Sequence, residues 1–183
     1  MSGSVRTKAL LWVPMVVSAV LVLFLALGYL IVTILRMPTS FAFTLHVRLF
    51  GVLLLVVGLL LLIWLFRYRR PTDILVSTYT TFSKMRGVSL EKPLGRIEPL
   101  VICGPYRYVR HPLYLGVVLL FVGWWILLDH TSLLFSAILL LIWFCLVIAP
   151  FEEKELRSMF GDQYEQYSRE VPRIIPFSKW RKK

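Results

Sequence analysis

The sequence predicts an all-α, polytopic integral membrane protein with four transmembrane helices, or five membrane segments if one polar segment re-enters. Hydrophobic residues make up 58% of the 183 residues, and the mean hydropathy is +0.74. A soluble domain contains about 45–50% apolar residues. The excess lies in long uncharged runs, and basic residues cluster at the ends of those runs. Together these observations indicate membrane-spanning helices.

Four apolar runs are candidates for the spans, because a helix needs about 20 apolar residues to cross the hydrocarbon core. The runs cover residues 9–35, 49–66, 113–128 and 132–149. The first run is longer than the apolar core of a signal peptide, so we interpret it as a retained transmembrane helix. Only three residues separate the third run from the fourth. We therefore predict that these two helices form a tight antiparallel hairpin.

We predict a single membrane domain over residues 1–183 with three parts. Residues 1–66 form an N-terminal transmembrane hairpin, residues 67–103 a basic connector, and residues 104–177 the region that carries the motifs described below. Residues 73–85 of the connector are too polar to span the bilayer. They suit the membrane interface or a re-entrant segment, and they are the possible fifth membrane segment considered above.

Lys and Arg predict the orientation in the membrane. The formal net charge is +11, with nine basic residues in residues 67–112 and eight in residues 151–183. Cytoplasmic loops are enriched in Lys and Arg, so both termini and the connector are predicted to be cytoplasmic. These charges suit anionic lipid headgroups. No basic stripe with interleaved aromatic residues stands apart from the apolar runs, so we expect membrane lipid as a partner and no nucleic acid.

The cysteine pattern argues against a metal centre or a disulfide framework. The chain has two cysteines, Cys103 and Cys145, and no Cys-x-x-Cys or Cys/His spacing typical of zinc sites. Cys145 lies inside an apolar run, where a free cysteine behaves as a small core residue. We therefore predict no bound metal.

The segment Arg110-His111-Pro112 stands at the start of the third apolar run. Pro112 suits the first helical position, because its missing N–H would be unpaired there in any case. Helix N-termini attract anions, and Arg110 adds a planar fork that matches a carboxylate. His111 adds a titratable imidazole. The segment is thus a candidate anion-binding site at the cytoplasmic end of the third span.

Glu152 and Glu153 directly follow the fourth run. Because the hairpin returns the chain to the side where it began, these glutamates should lie near Arg110 and His111 in space. One carboxylate suits an ammonium group or the Arg110 guanidinium, and nearby tyrosines supply π-faces that attract cations. The pattern predicts a receptor for a zwitterion that combines a carboxylate, an ammonium group and a sulfonium.

The layout resembles the isoprenylcysteine carboxyl methyltransferase family of membrane methyltransferases, with its phospholipid methyltransferase relatives. The resemblance covers residues 104–177, roughly 40% of the chain. It rests on Arg110-His111-Pro112-x-Tyr114-x-Gly116, Glu152-Glu153, Phe160-Gly161-x-x-Tyr164-x-x-Tyr167 and Val171-Pro172. Each piece is weak alone, but their order, their spacing and the intervening apolar hairpin are specific in combination.

The resemblance implies roles for individual residues. S-adenosylmethionine would bind in the cytoplasmic C-terminal half and leave as S-adenosylhomocysteine, without a Rossmann fold, and the chain has no strand–GxGxxG–helix pattern. Arg110 would face the carboxylate of the methyl acceptor, with Glu152 supporting it as the second catalytic residue. Tyr164 and Arg173 would contact the substrate. The cofactor pocket would consist of Tyr106, His111, Pro112, Leu113, Tyr114 and Glu153.

The resemblance implies an S-adenosylmethionine-dependent membrane methyltransferase that methyl-esterifies a prenylated cysteine or a similar lipophilic acceptor entering from the bilayer. A first alternative is N-methylation of a phospholipid or another amine, in which a glutamate or His111 must accept a proton. A second alternative is a non-catalytic membrane scaffold. A transport role is disfavoured, because the apolar runs contain few polar residues.

Overall fold

The computed structural model describes residues 3–85 and 99–176, with side chains described for residues 7–83 and 99–176. These residues are all-helical, and no strand occurs among them. The helices are α1 (Gly3–Ile34), α2 (Leu45–Tyr68), α3 (Pro71–Met85), α4 (Pro112–Leu128), α5 (Thr131–Trp143), α6 (Ala149–Phe160) and α7 (Asp162–Glu170). A 3-10 turn covers Gly104–Arg107, and a π-helical segment, Phe144–Ile148, joins α5 to α6.

The four predicted apolar runs are all helical. Three stretches are long and apolar enough to cross a membrane, namely Thr7–Ile34, Leu45–Tyr68 and Thr131–Phe160. The third run forms the shorter apolar helix α4, which begins at Pro112 as predicted. Many apolar side chains point outward, and Leu11 and Leu146 are each 72% exposed. Such surfaces suit lipid rather than water, and the prediction of an all-α integral membrane protein is confirmed.

The turn between α4 and α5 is as tight as the sequence predicts. Asp129 ends α4 in the left-handed conformation, with φ of 54°, and α5 begins at Thr131. The buried Asp129 carboxylate accepts hydrogen bonds from the Ser40 hydroxyl at 2.7 Å and from the N–H groups of Phe41 and Phe43 at 2.9 and 3.0 Å. These bonds fasten the α1–α2 loop to the hairpin turn at what we call the far end of the bundle.

Glycines bring α2 and α4 into close contact. Gly51 lies against Gly123, and Gly58 lies against Gly116. A Cβ atom on Gly51 would lie 2.9 Å from the backbone nitrogen of Leu127, and one on Gly58 would lie 3.2 Å from the carbonyl oxygen of Gly116. Small residues permit this approach between membrane helices, where packing replaces the hydrophobic effect. The contact keeps the start of α4 beside the end of α2.

Helix α1 packs against α5 and α3. Gly28 of α1 lies against Ser132 and Ser136, and the Ser136 hydroxyl donates to the carbonyl oxygen of Phe24 at 3.0 Å. Helix α3 contains the polar segment that the sequence placed at the interface, and its Ser77 is buried. Its 15 residues are fewer than the roughly 20 that a membrane span requires.

Pro150 interrupts the helical hydrogen bonding where α5 continues into α6. A proline has no N–H to donate, and the preceding residues Phe144–Ile148 are π-helical. In the π-helical register an N–H at position 150 would donate to the carbonyl oxygen of Cys145. The Arg173 NH1 group donates to this oxygen instead, at 3.4 Å. The C-terminal segment thus satisfies the helix just before the two predicted glutamates.

Some predictions fall outside the described residues. They concern the connector residues Arg86, Lys92 and Arg96 and the basic tail from residue 177 onward. The division of the chain into residues 1–66, 67–103 and 104–177, like the cytoplasmic orientation, stays a prediction.

Candidate active site

Backbone hydrogen bonds join the two halves of the predicted motif. The N–H of Arg110 donates to the carbonyl of Pro172 at 2.9 Å, and the N–H of His111 donates to that of Arg173 at 3.0 Å. The residue before a proline avoids the α-helical region, and His111, with φ −124° and ψ 68°, lies outside that region before α4 begins. The Val-Pro turn therefore fixes the Arg-His segment at the N-terminus of α4.

Glu153 is the centre of a buried ion-pair network. Its side chain is 2% exposed, and its Oε1 atom lies 2.9 Å from NH1 of Arg110. Arg173 donates to both carboxylate oxygens, from Nε at 2.9 Å and from NH2 at 2.8 Å. This two-point geometry is the strong form of the arginine–carboxylate pair, and it anchors the C-terminal segment to α6. The negative charge of Glu153 raises the pKa of Arg173.

His111 lies between the two glutamates. Its Nδ1 atom is 3.3 Å from Glu152 Oε2, and its Nε2 atom is 3.4 Å from Glu153 Oε1. Burial alone would lower the pKa of His111, but hydrogen bonds and the negative charges of both glutamates outweigh burial and raise the pKa above its usual 6.5. The two glutamates therefore favour the protonated form of the imidazole.

A column of stacked rings leads from this network into the apolar interior. The His111 and Tyr114 rings stack with centroids 5.2 Å apart, and the Tyr114 and Phe144 rings stack at 4.4 Å. Pro112 fixes the first turn of α4, so Tyr114 projects from a rigid element. The column gives the polar site an aromatic wall, whose π-faces attract cations.

Helix α7 closes the polar site with two tyrosines. Tyr164 is fully buried, and its hydroxyl oxygen accepts a hydrogen bond from Arg110 NH1 at 3.3 Å. The Tyr167 hydroxyl donates to the carbonyl of Tyr106 at 2.7 Å. Burial, assisted by the charge of Glu153, raises the pKa of Tyr164 to about 12. Both phenols are therefore neutral groups that position Arg110 and the turn containing Tyr106.

Two cavities meet at this network. We call the first the polar cavity, and its wall includes Arg69 of α2, Thr78 of α3, Arg110, His111 and Glu152. It also includes Leu65, Ile74, Ser77, Pro99, Leu100, Val101, Tyr106, Pro112, Leu113, Tyr114, Leu156, Phe160, Tyr164 and Tyr167. Three buried side-chain nitrogens within the described residues lack a hydrogen-bond partner, and two of them, Nε of Arg69 and Nε of Arg110, belong to residues of this wall.

The second, apolar cavity has a volume of about 320 Å³ and lies between α1, α3, α4 and α5. Its wall includes Val17 of α1, Phe82 of α3 and Leu140 of α5. Five residues line both cavities: Ile74, Thr78, Leu113, Tyr114 and Glu152. A carboxylate, a phenol ring and an aliphatic side chain thus form the junction between a charged space and an apolar one.

Most of the predicted site residues come together here. Those that line the polar cavity are Tyr106, Arg110, His111, Pro112, Leu113, Tyr114, Glu152 and Tyr164. Glu153 and Arg173 line neither cavity and lie behind Arg110 and His111. Sequence reasoning missed Arg69, Phe144 and the wall formed by α3, none of which carried a motif. It quoted Tyr167 in the motif but did not assign it to the site.

Fold and site together define a class of protein, namely a helical membrane protein in which a charged cavity opens onto an apolar one. The model of the phospholipid methyltransferase family matches residues 47–163. The chain therefore belongs to the phospholipid methyltransferase family. The match reaches back into α2, well before the region 104–177 that carries the predicted motifs.

Individual relatives match over shorter stretches. The chain is 45% identical over 80 residues to the protein-S-isoprenylcysteine O-methyltransferase of Schizosaccharomyces pombe. The matched stretch is 42% of this chain and 33% of that protein. The chain is 40% identical over 74 residues to the methanethiol S-methyltransferase of Crocosphaera subtropica, or 39% of this chain and 27% of that protein. It is 35% identical over 81 residues to protein-S-isoprenylcysteine O-methyltransferase B of Arabidopsis thaliana, or 43% and 40%. The matched stretches thus cover less than half of each relative, and no solved structure matches the chain.

Proposed function

We propose that the protein transfers a methyl group from S-adenosylmethionine to a lipophilic acceptor. The observation that carries this proposal is the junction of the two cavities at Leu113, Tyr114 and Glu152. A polar methyl donor and an apolar acceptor need separate binding spaces that meet at the reacting atoms. The polar cavity suits the donor and the apolar cavity suits the acceptor.

The side chains of the polar cavity, whose volume is about 90 Å³, match the charged groups of a zwitterionic sulfonium donor. When bound, S-adenosylmethionine supplies an electrophilic methyl group on a positively charged sulfur. The unpaired Nε atoms of Arg69 and Arg110 can donate to its carboxylate, and the Glu152 carboxylate can accept from its ammonium group. The ring of Tyr114 offers a π-face to a cation. The network behind the cavity, with Glu153 at its centre, holds Arg110 and His111 in fixed orientations.

The apolar cavity fits the tail of a lipophilic acceptor. Each Å² of apolar surface that leaves water contributes about 25 cal/mol, so a prenyl or acyl chain gains by entering a space lined by Val17, Phe82 and Leu140. Our leading acceptor is the carboxylate of a prenylated cysteine, which needs no deprotonation. For this acceptor the chain has only to exclude water and hold the reacting atoms about 3–3.5 Å apart.

A second acceptor class, a lipophilic thiol or amine, is favoured by the position of Glu152. This carboxylate lines both cavities and lies 3.3 Å from Nδ1 of His111. It would repel an acceptor carboxylate, but it can take the proton that a thiol or an ammonium group must lose as its bond to the methyl carbon forms.

The experiment starts with calorimetric titration of detergent-purified protein with S-adenosylhomocysteine. Turnover is then measured with a farnesylcysteine analogue, a long-chain thiol and a phosphatidylethanolamine. The Glu152→Gln variant should lose about 10²–10⁴-fold in turnover of a thiol or amine acceptor, the usual contribution of a general base, and much less with a carboxylate acceptor. Glu170→Gln, at an exposed position of α7, is the matched control. Absence of saturable S-adenosylhomocysteine binding by folded wild-type protein would contradict the proposal.

We further propose that both termini and the site face the cytoplasm, because the basic residues of the connector and tail should remain on that side. Cys103 is exposed beside the 3-10 turn of the site, whereas Cys145 is partly buried in the π-helical segment. A membrane-impermeant maleimide should label Cys103 in inverted vesicles and spare it in intact cells, with Cys103→Ser as the control. The opposite pattern of labelling would reverse the orientation.

A further inference from the structure

We propose that Arg69 and Arg110 together form an oxyanion subsite that binds a carboxylate inside the polar cavity. The inference rests on the proposed function and extends it to a residue of α2 that lies outside the motifs. Both arginines line the same cavity, and each has a buried Nε atom without a hydrogen-bond partner in the described part of the chain. A buried, unpaired donor is costly unless a ligand completes it.

The end of α2 is built to hold Arg69 in place. Arg69 caps the helix in an extended conformation, and its N–H donates to the carbonyl of Leu65 at 3.0 Å. The preceding ring, Tyr68, packs against Gly104, whose φ is +61° and whose Cβ, if present, would lie 2.5 Å from that ring. Only a glycine permits this contact at that backbone conformation. The 3-10 turn therefore fixes the end of α2 beside the polar cavity.

Arg110 is oriented so that one edge of its guanidinium is already used. Its NH1 group contacts Glu153 at 2.9 Å and Tyr164 at 3.3 Å, and its side chain is 6% exposed. The Nε atom on the other edge has no partner. A guanidinium binds a carboxylate through two parallel N–H groups, so the remaining edge is the one that suits a ligand.

The charge of the cavity wall favours an anion. In the described chain the wall contains the guanidinium groups of Arg69 and Arg110, the imidazole of His111 with its raised pKa, and one carboxylate, Glu152. Behind the wall, Glu153 offsets one positive charge and its second partner, Arg173, supplies another. Three arginines and two glutamates therefore leave a net positive charge at the site.

The carboxylate has two sources with the same chemistry. It is either the amino-acid carboxylate of the methyl donor or the carboxylate of an anionic acceptor. Arg67 lies two residues before Arg69 and is exposed in the last turn of α2. It provides a matched control, because Arg67→Met removes the same charge and side chain outside the cavity.

The test compares Arg69→Met with Arg67→Met by calorimetry. If the subsite holds the donor carboxylate, Arg69→Met should bind S-adenosylhomocysteine about tenfold or more weakly, the size of a lost charged hydrogen bond. It should bind 5′-methylthioadenosine, which lacks the amino-acid moiety, as tightly as the control. If the subsite holds the acceptor carboxylate, the loss should instead affect farnesylcysteine and spare its methyl ester.

Equal affinities of Arg69→Met and Arg67→Met for both S-adenosylhomocysteine and farnesylcysteine would overturn the subsite while leaving the proposed function standing. Failure of wild-type protein to bind S-adenosylhomocysteine would overturn both. Thermal unfolding in detergent establishes that each variant is folded. Arg69→Lys keeps the charge but loses the planar fork of N–H donors, so it should recover only part of the affinity. It replaces Arg69→Met in the comparison if Arg69→Met does not fold.

Discussion

The two ends of the helix bundle each bury a carboxylate, yet only one end has the features of a site. At the far end Asp129 accepts three hydrogen bonds from the α1–α2 loop and lies 3.7 Å from Arg48. Neither the polar cavity nor the apolar cavity includes it among the residues of its wall. At the other end Glu153 is equally satisfied, but its partner Arg110 retains an unpaired donor beside a cavity. Burial of charge alone therefore marks structure, whereas the proposed binding site rests on an unpaired buried donor at a cavity.

The largest expected effect comes from breaking the network at its centre. Glu153→Gln removes the charge that compensates Arg110, whose side chain is 6% exposed. Breaking a buried ion pair costs about 3–5 kcal/mol, so thermal unfolding in detergent should show a strongly destabilised protein. Glu170→Gln should unfold like wild type. A Glu153→Gln variant of unchanged stability would mean that the network does not hold the site together.

An intermediate effect is expected at the far end. Asp129→Ala leaves the N–H groups of Phe41 and Phe43 without an acceptor, and each unsatisfied group costs about 1–3 kcal/mol. The free energy of unfolding should fall, but the affinity for S-adenosylhomocysteine should not change, because the far end takes no part in binding. A loss of affinity at unchanged stability would remove the contrast between the two ends.

The pH dependence of Asp129 sharpens the same contrast. Burial alone would raise its pKa, but hydrogen bonds from Phe41, Ser40 and Phe43 and the charge of Arg48 lower it below the usual 3.8. A lowered pKa stabilises the folded state above about pH 3.8, and this contribution is lost as the pH falls through the lowered value. Asp129→Asn should flatten the acid limb of the stability profile, and an unchanged limb would contradict the assignment.

The smallest effect is expected from His111, whose contribution to stability changes with pH in the opposite direction to that of Asp129. The pKa of His111 is raised, so its contribution to stability is complete below about pH 6.5 and is lost as the pH rises through the raised value. Unfolding temperatures measured from pH 6 upward should fall more steeply for wild type than for His111→Gln. Parallel profiles would show that folding does not raise the pKa of His111 and would contradict the assignment.

The helices were predictable from sequence because each apolar run has the length and composition of a span. The approach of Arg110 and His111 to the glutamate pair was also predictable, since the tight hairpin forces it. The different placement of Glu152 and Glu153 was not, because adjacent helical residues point about 100° apart and either could face the cavity. Likewise Arg69 stands among three arginines at the end of α2, and only the geometry of that helix end buries its Nε atom.

The role of α3 was hidden for a different reason. Its sequence is too polar to span a bilayer and carries no motif, so it predicted only an interfacial segment. In the structure its Ile74 and Thr78 line both cavities. Packing against α1 turns a segment of modest polarity into a wall of the site, and this depends on tertiary contacts that no local pattern records.

The central claim is that donor and acceptor occupy different cavities, and a variant that fills only the apolar cavity tests it most directly. Val17 lines that cavity and is 39% exposed, so Val17→Phe adds a ring to the cavity wall, and Val22→Phe places the same ring at a position of α1 that is 64% exposed and outside the cavity. The affinity for S-adenosylhomocysteine and kcat/KM for the acceptor that wild type methylates would be measured for both. We predict that Val17→Phe binds S-adenosylhomocysteine like Val22→Phe but loses about tenfold or more in kcat/KM, a change of about 1.4 kcal/mol. Equal kcat/KM values for the two variants would contradict the assignment of the acceptor to the apolar cavity.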